Sequence, residues 1–146
     1  MSSKVILLVE DNQDDEELAL LAFMQGKIIN EVVVARDGLE ALDYLFGTGK
    51  YAGRDASLLP QVMLLDLKMP KLDGLGVLRQ VRADPRTRRL PVVILTSSRE
   101  DEDLMRSYDL GANSYVNKPV DFDQFAEAVR QLQVYWLIIN EPPPRG

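Results

Sequence analysis

Several polar side chains in this sequence stand directly after short apolar runs, and together they could do chemistry on phosphorus. Glu10 and Asp11 follow Val5-Ile6-Leu7-Leu8-Val9, and Asp66 follows Val62-Met63-Leu64-Leu65. Thr96 and Ser97 follow Val92-Val93-Ile94-Leu95, and Asn117-Lys118-Pro119 follows the weaker run Tyr115-Val116. In an open parallel sheet, ligands bind beyond the carboxyl ends of the strands. These residues would then converge on one rim. Three neighbouring carboxylates repel one another, and without a cation at least one tends to stay protonated. A hard divalent ion resolves that conflict, and oxygen ligands suit Mg²⁺. Asp66 can then act as a nucleophile on phosphorus, since carboxylates form acyl phosphates. Metal and the Lys118 ammonium would offset charge on the equatorial oxygens. Thr96 can donate a hydrogen bond to a phosphoryl oxygen, and small Ser97 leaves room for it. Taken singly, each has an ordinary explanation: a helix-capping acid, a solvated lysine, a threonine satisfying a turn. The argument rests on four strand ends carrying such groups together.

The elements that would position these groups can be read from apolar patterning. One more strand-like run, Val32-Val33-Val34-Ala35, joins these four to make five. Near-continuous rather than alternating apolar residues point to strands covered on both faces, as in a parallel sheet. Amphipathic segments alternate with them. Asn12 is a candidate N-cap for a first helix whose Asp14, Asp15, Glu16 and Glu17 suit the positive helix end. Leu18, Leu21, Ala22 and Gln25 would share its face, with Gly26 as the stop. Asp37 caps a second helix carrying Leu39, Leu42 and Phe46 and ending at Gly47. Asp73 caps a third with Leu75, Leu78 and Val81, closed by Asp84-Pro85. A fourth runs from about Glu100 to Leu110. The fifth starts at Asp121 and places Phe122, Phe125, Val129, Leu132 and Trp136 on one stripe. Right-handed crossovers then put helices on both faces of a five-stranded parallel sheet. Residues 48–60 and the tail Pro142-Pro143-Pro144-Arg145-Gly146 read as irregular.

Composition narrows the function classes. At 146 residues with 46% hydrophobic content, the chain can hold one core without staples. It has no cysteine, which excludes disulfides and thiolate metal sites. It has no histidine, which removes the usual general base and any phosphohistidine of its own. A net charge of −6 argues against a nucleic-acid partner. No apolar run approaches the roughly 18 residues of a membrane span, and Met1-Ser2-Ser3-Lys4 opens no signal-peptide core. A cytoplasmic protein without membrane contact is expected.

The assembled motifs resemble the receiver domain of two-component response regulators. They are Val9-Glu10-Asp11, Leu65-Asp66-Leu67-Lys68-Met69-Pro70, Asp73-Gly74, Ile94-Leu95-Thr96-Ser97, Gly111-Ala112-Asn113 and Tyr115-Val116-Asn117-Lys118-Pro119. The D-x-x-M-P-x-x-D-G block from Asp66 to Gly74, with the late Lys-Pro, makes the set specific, and the fit extends from Lys4 to about Leu132. The resemblance implies a flavodoxin-like (βα)5 three-layer sandwich with strand order 2-1-3-4-5. It implies that Asp66 is the phosphoacceptor. Asp11 would bind Mg²⁺ directly and Glu10 through water, with Asp66 and the Lys68 backbone carbonyl completing the protein ligands. Thr96 and Lys118 would bind the phosphoryl group, Tyr115 would be the aromatic switch, and the Lys118-Pro119 peptide would be cis. By the same resemblance, Lys68 and Ser98 would flank the path of an attacking water and are expected to tune the phosphoryl lifetime. Such a chain is not an enzyme beyond Mg²⁺-dependent gain and loss of its own phosphoryl group.

A narrower resemblance lies in the segment Thr48 to Pro60, in Leu95-Thr96-Ser97-Ser98 and in Asn140-Glu141-Pro142-Pro143-Pro144. These pieces are similar to small regulators that partner cyanobacterial phytochromes and related histidine kinases. The resemblance implies a sensor histidine kinase as donor, in particular a light sensor. Residues 1–140 are expected to form one receiver domain with an extended fifth helix, and 141–146 a Pro-rich tail. No effector domain is legible, so output is expected through contact with a downstream protein or by phosphoryl relay. The run Val134-Tyr135-Trp136-Leu137-Ile138-Ile139 exceeds what one helical face buries. It predicts a homodimer through the fifth helix, with Phe125, Val129, Leu132, Trp136 and Ile139 as contacts; the alternative is a tail that folds back over its own helix. Two rival functions follow from the same residues. A phosphohydrolase of the haloacid type needs a second carboxylate two residues after the nucleophile, where this chain has Lys68. A receiver-shaped scaffold that ignores phosphate usually lacks the acceptor, its acidic neighbours or the lysine, all of which are present.

Overall fold

Runs of β-branched and leucine side chains that exclude polar residues cannot sit half in water; they are stable as strands only when both faces are covered. The computed structural model of the chain describes residues 5–25, 31–66, 72–96 and 114–117. In order these form β1 (Val5–Val9), α1 (Gln13–Gln25), β2 (Glu31–Ala35), α2 (Gly38–Phe46), a 3-10 turn (Gly49–Tyr51), β3 (Val62–Leu65), α3 (Gly74–Ala83), β4 (Val92–Thr96) and β5 (Ser114–Asn117). The five strands make one parallel sheet in the order β2-β1-β3-β4-β5. This is the flavodoxin-like order that the resemblance implied.

Alternate strand residues point to opposite faces, and each face has its own helices. Leu7, Val9, Met63, Leu65, Val92 and Ile94 pack with Ala41, Leu45, Leu75, Leu78 and Val81 from α2 and α3. Ile6, Leu8, Val62, Leu64 and Val93 pack with Ala19 and Phe23 of α1. Each fully buried leucine, isoleucine or phenylalanine contributes about 1.5–3 kcal/mol, so among the described residues the two clusters hold the layers together.

The helix starts match the sequence. The Asn12 side chain accepts the Asp15 N–H at 3.0 Å, Asp37 accepts that of Glu40 at 2.8 Å, and Asp73 accepts that of Gly76 at 2.9 Å. Gly47 ends α2 in the left-handed region at φ 66°, which a Cβ would strain. Gly38 is required by close approach: a Cβ there would stand 2.2 Å from the Leu72 carbonyl oxygen and 2.8 Å from Val77.

Two helix faces differ from expectation. Leu21 of α1 and Leu39 of α2 are each 49% exposed. Among the described side chains of α1 the buried ones are Glu16, Ala19 and Phe23, with Leu18 and Leu20 half-buried; those of Ala22 and Gln25 lie outside the described ones. In α2 they are Gly38, Ala41, Leu42, Tyr44 and Leu45. Residues 18–24 are all apolar, so periodicity alone does not choose the stripe; packing against β1 and β3 does.

The stretch 48–60, which read as irregular, is organised by Arg54. Its Nε donates to the Tyr44 carbonyl at 2.6 Å, and Nη1 donates to the carbonyls of Asp55 at 3.1 Å and Leu58 at 2.9 Å. The guanidinium lies 4.0 Å from the Tyr44 ring centre, and Tyr51 meets the same ring edge-on at 5.0 Å. Burial pushes the Tyr44 hydroxyl pKa up, against the Arg54 charge. The expected fourth and fifth helices, the tail 141–146 and the dimer contacts Phe125, Val129, Leu132, Trp136 and Ile139 lie outside the described residues.

Candidate functional site

Adjacent parallel strands in register must release their following residues side by side. Val9 of β1 stands opposite Leu65 of β3, so Glu10 and Asp66 leave the sheet together at its carboxyl rim. The backbone ladder continues into the site: the Asp66 N–H donates to the Val9 carbonyl at 3.1 Å, and the Glu10 N–H to that of Ala35 at 2.9 Å. These bonds fix the positions from which both carboxylates start.

The carboxylates of Glu10, Asp11 and Asp66 offer oxygens that all lie within 4.8 Å of one another. Glu10 is 2% exposed and Asp66 6%, whereas Asp11 is exposed. The cluster is therefore nearly dry on the sheet side and open on the Asp11 side. A Glu10 carboxylate oxygen accepts the Asn12 N–H at 3.2 Å, which ties the acid to the start of α1. The exposed Arg36 guanidinium, directly after β2, pairs with the mostly buried Glu16 carboxylate in the first turn of α1; sequence patterning placed Glu16 only at a favourable helix end and gave no sign of this partner.

Burying anions beside one another is unfavourable unless positive charge is supplied. All the donors here are hard oxygens, which suits a divalent cation such as Mg²⁺, Mn²⁺ or Ca²⁺ over a thiophilic metal. Oxygens bound to one such ion at about 2.0–2.6 Å lie within roughly 5 Å of one another, which the cluster satisfies.

The remaining expected site residues divide in two. Leu65 pairs with Ile94, and Thr96 with Asn117. β4 therefore ends at Thr96, and β5 at Asn117, on the rim where Asp66 stands. Tyr115 lies in β5 opposite Ile94. Lys68, Ser97, Lys118 and the Lys118-Pro119 peptide lie outside the described residues. The structure thus brings together Glu10, Asp11 and Asp66 as side chains, and the backbones of Thr96 and Asn117 as neighbours.

Comparison with known proteins bears on the family of the whole chain. The family described as the response regulator receiver domain matches residues 6–130. The chain is 42% identical over 139 residues to the probable methanogenesis regulatory protein FilR2 of Methanothrix harundinacea, covering 95% of this chain and 87% of that one. It is 37% identical over 134 residues to response regulator Rcp1 of Synechocystis, covering 92% and 89%. The solved Mn²⁺-bound form of Rcp1 superposes with a TM-score of 0.84 at 35% identity, covering 97% of this chain and 99% of that one. The bacteriophytochrome response regulator AtBRR is 55% identical, with a TM-score of 0.77 over 97% of this chain and 100% of that one.

Proposed function

Because this chain belongs to the response regulator receiver family, we propose that it accepts a phosphoryl group on Asp66 from the phosphohistidine of a sensor histidine kinase, of the phytochrome type, and signals by protein contact. One observation carries the reading: the oxygens of Glu10, Asp11 and Asp66 gather within 4.8 Å at the carboxyl rim of β1 and β3. In the transfer an Asp66 carboxylate oxygen bonds to phosphorus as the bond from phosphorus to the donor's histidine nitrogen breaks. Glu10, Asp11 and Asp66, with the Lys68 carbonyl, would hold Mg²⁺. Bound there, the ion would offset the negative charge of the phosphoryl oxygens. Thr96 and Lys118 would hold those oxygens, Ser97 would leave space for them, and Tyr115 would report the change to the surface. Phosphoryl gain and loss on Asp66 is then the whole of the chain's own chemistry.

The phytochrome-type donor is supported by the 55% identity to a bacteriophytochrome response regulator. A homodimer through Phe125, Val129, Leu132, Trp136 and Ile139 is supported by the apolar run 134–139.

Incubation with Mg²⁺ and acetyl phosphate tests the acceptor. The protein should gain the mass of one phosphoryl group, and Asp66→Asn should gain none. A gain of equal size in Asp66→Asn, or no gain from acetyl phosphate or any histidine kinase, refutes the proposal. Phosphotransfer profiling against purified kinases then tests the donor class.

A further inference from the structure

The end of α3 and the turn after it carry five arginines against one aspartate between residues 79 and 89, in a chain of net charge −6. Cations near a helix C-terminus complement its dipole, which accounts for Arg82 in the last turn of α3. It does not account for the turn beyond. That turn is built to a fixed shape. Thr87 is fully buried and its Oγ1 donates to the Val81 carbonyl at 2.7 Å. Arg82 Nη1 donates to the carbonyls of Arg88 at 2.9 Å and Leu90 at 2.7 Å. The N–H groups of Thr87 and Arg88 donate to the Asp84 carbonyl at 3.1 and 3.0 Å. Arg86 is held by the Asp84 carboxylate at 2.9 Å and lies 4.7 Å from the Phe46 ring centre.

Arg79, Arg88 and Arg89 are exposed, and none has an anionic or aromatic partner among the described residues. Among the described residues, the exposed cations elsewhere are paired: Arg36 with Glu16, and Lys50 with Glu40 at 3.1 Å. A rigid turn that displays free guanidinium groups reduces the ordering entropy lost on binding. Guanidinium forks also match carboxylates in pairs of parallel hydrogen bonds.

We infer that the α3–β4 turn is a docking surface for a short acidic segment of a partner protein, with Arg88 and Arg89 as the main contacts and Arg79 beside them. Charge distribution favours a short segment over a nucleic acid or an anionic membrane. An extended polyanion would run past the turn, beyond the screening length of about 8 Å, toward the rest of a chain that carries more net negative charge without these residues than with them. The turn feeds the amino end of β4, where the Met63 N–H bonds to the Pro91 carbonyl at 2.9 Å. Asp66 follows the carboxyl end of parallel β3. A partner docked here therefore leaves the acidic cluster open.

Anisotropy titration of the full chain tests this, with a dye-labelled peptide of six glutamates as probe. The peptide should bind, weaken as salt rises, and lose about fivefold in affinity in the Arg88→Gln/Arg89→Gln variant. Arg88→Lys/Arg89→Lys should retain most of the binding. Equal binding by wild type and the glutamine variant overturns the inference. So does no binding of the peptide by wild type, or tighter binding of an oligothymidylate or of phosphatidylserine vesicles.

Discussion

Asp11 is the exposed member of an acidic cluster whose other two carboxylates are buried, and that difference predicts opposite behaviour with and without metal. Without a divalent ion, Asp11→Asn removes one like charge and should raise the unfolding free energy, on the order of 1 kcal/mol. With Mg²⁺ present the order should reverse, since the variant has lost a ligand and gains less from binding. Thermal melts of both proteins with EDTA and with excess MgCl₂ check this; an unchanged ranking would mean that the cluster holds no ion. Lys118→Ala should fold normally and accept phosphate, but fail to transmit it. Mass spectrometry beside a partner-binding assay reads the two separately.

At the scale of elements, the caps and close contacts decide where the site residues begin. Asp73→Ala leaves the first turn of α3 uncapped and should cost about 1 kcal/mol in chemical denaturation. Gly38→Ala should cost more, about 1–3 kcal/mol, because its Cβ meets the backbone oxygen of Leu72 rather than a flexible side-chain end. The turn after α3 carries a pH signature. The Arg86 side chain and backbone N–H hold the Asp84 carboxyl below its ordinary value. A carboxylate with a lowered folded-state pKa contributes stability above its unfolded pKa and loses it as pH falls through the folded one. The stability gap between wild type and Asp84→Asn should therefore close on acidification below the usual carboxylate range, and a gap independent of pH would show that the pair contributes nothing.

For the whole molecule, the expected self-association belongs to residues beyond β5. Sedimentation of the full chain and of a chain cut after Leu132 should give a dimer and a monomer; identical monomers would remove the homodimer. Much of the architecture was legible beforehand. The runs at 5–9, 62–65 and 92–95 became strands because uninterrupted β-branched and leucine residues have few other stable states. Asp37, Asp73 and Gly47 marked helix ends because capping is a local hydrogen-bonding event. The 48–60 segment was opaque because Arg54 acts through carbonyls that no residue pattern advertises.

Sequence alone determined the inventory: which acids, alcohol and lysine end which runs, and that the strands need cover on both sides. Those properties depend on neighbours along the chain. Tertiary structure decided which strands lie together, which face of α1 is buried, and that Glu10 and Asp66 meet with Asp11. These follow from the parallel register of β1 against β3 and from packing between layers, interactions between residues far apart in the chain that local periodicity does not encode.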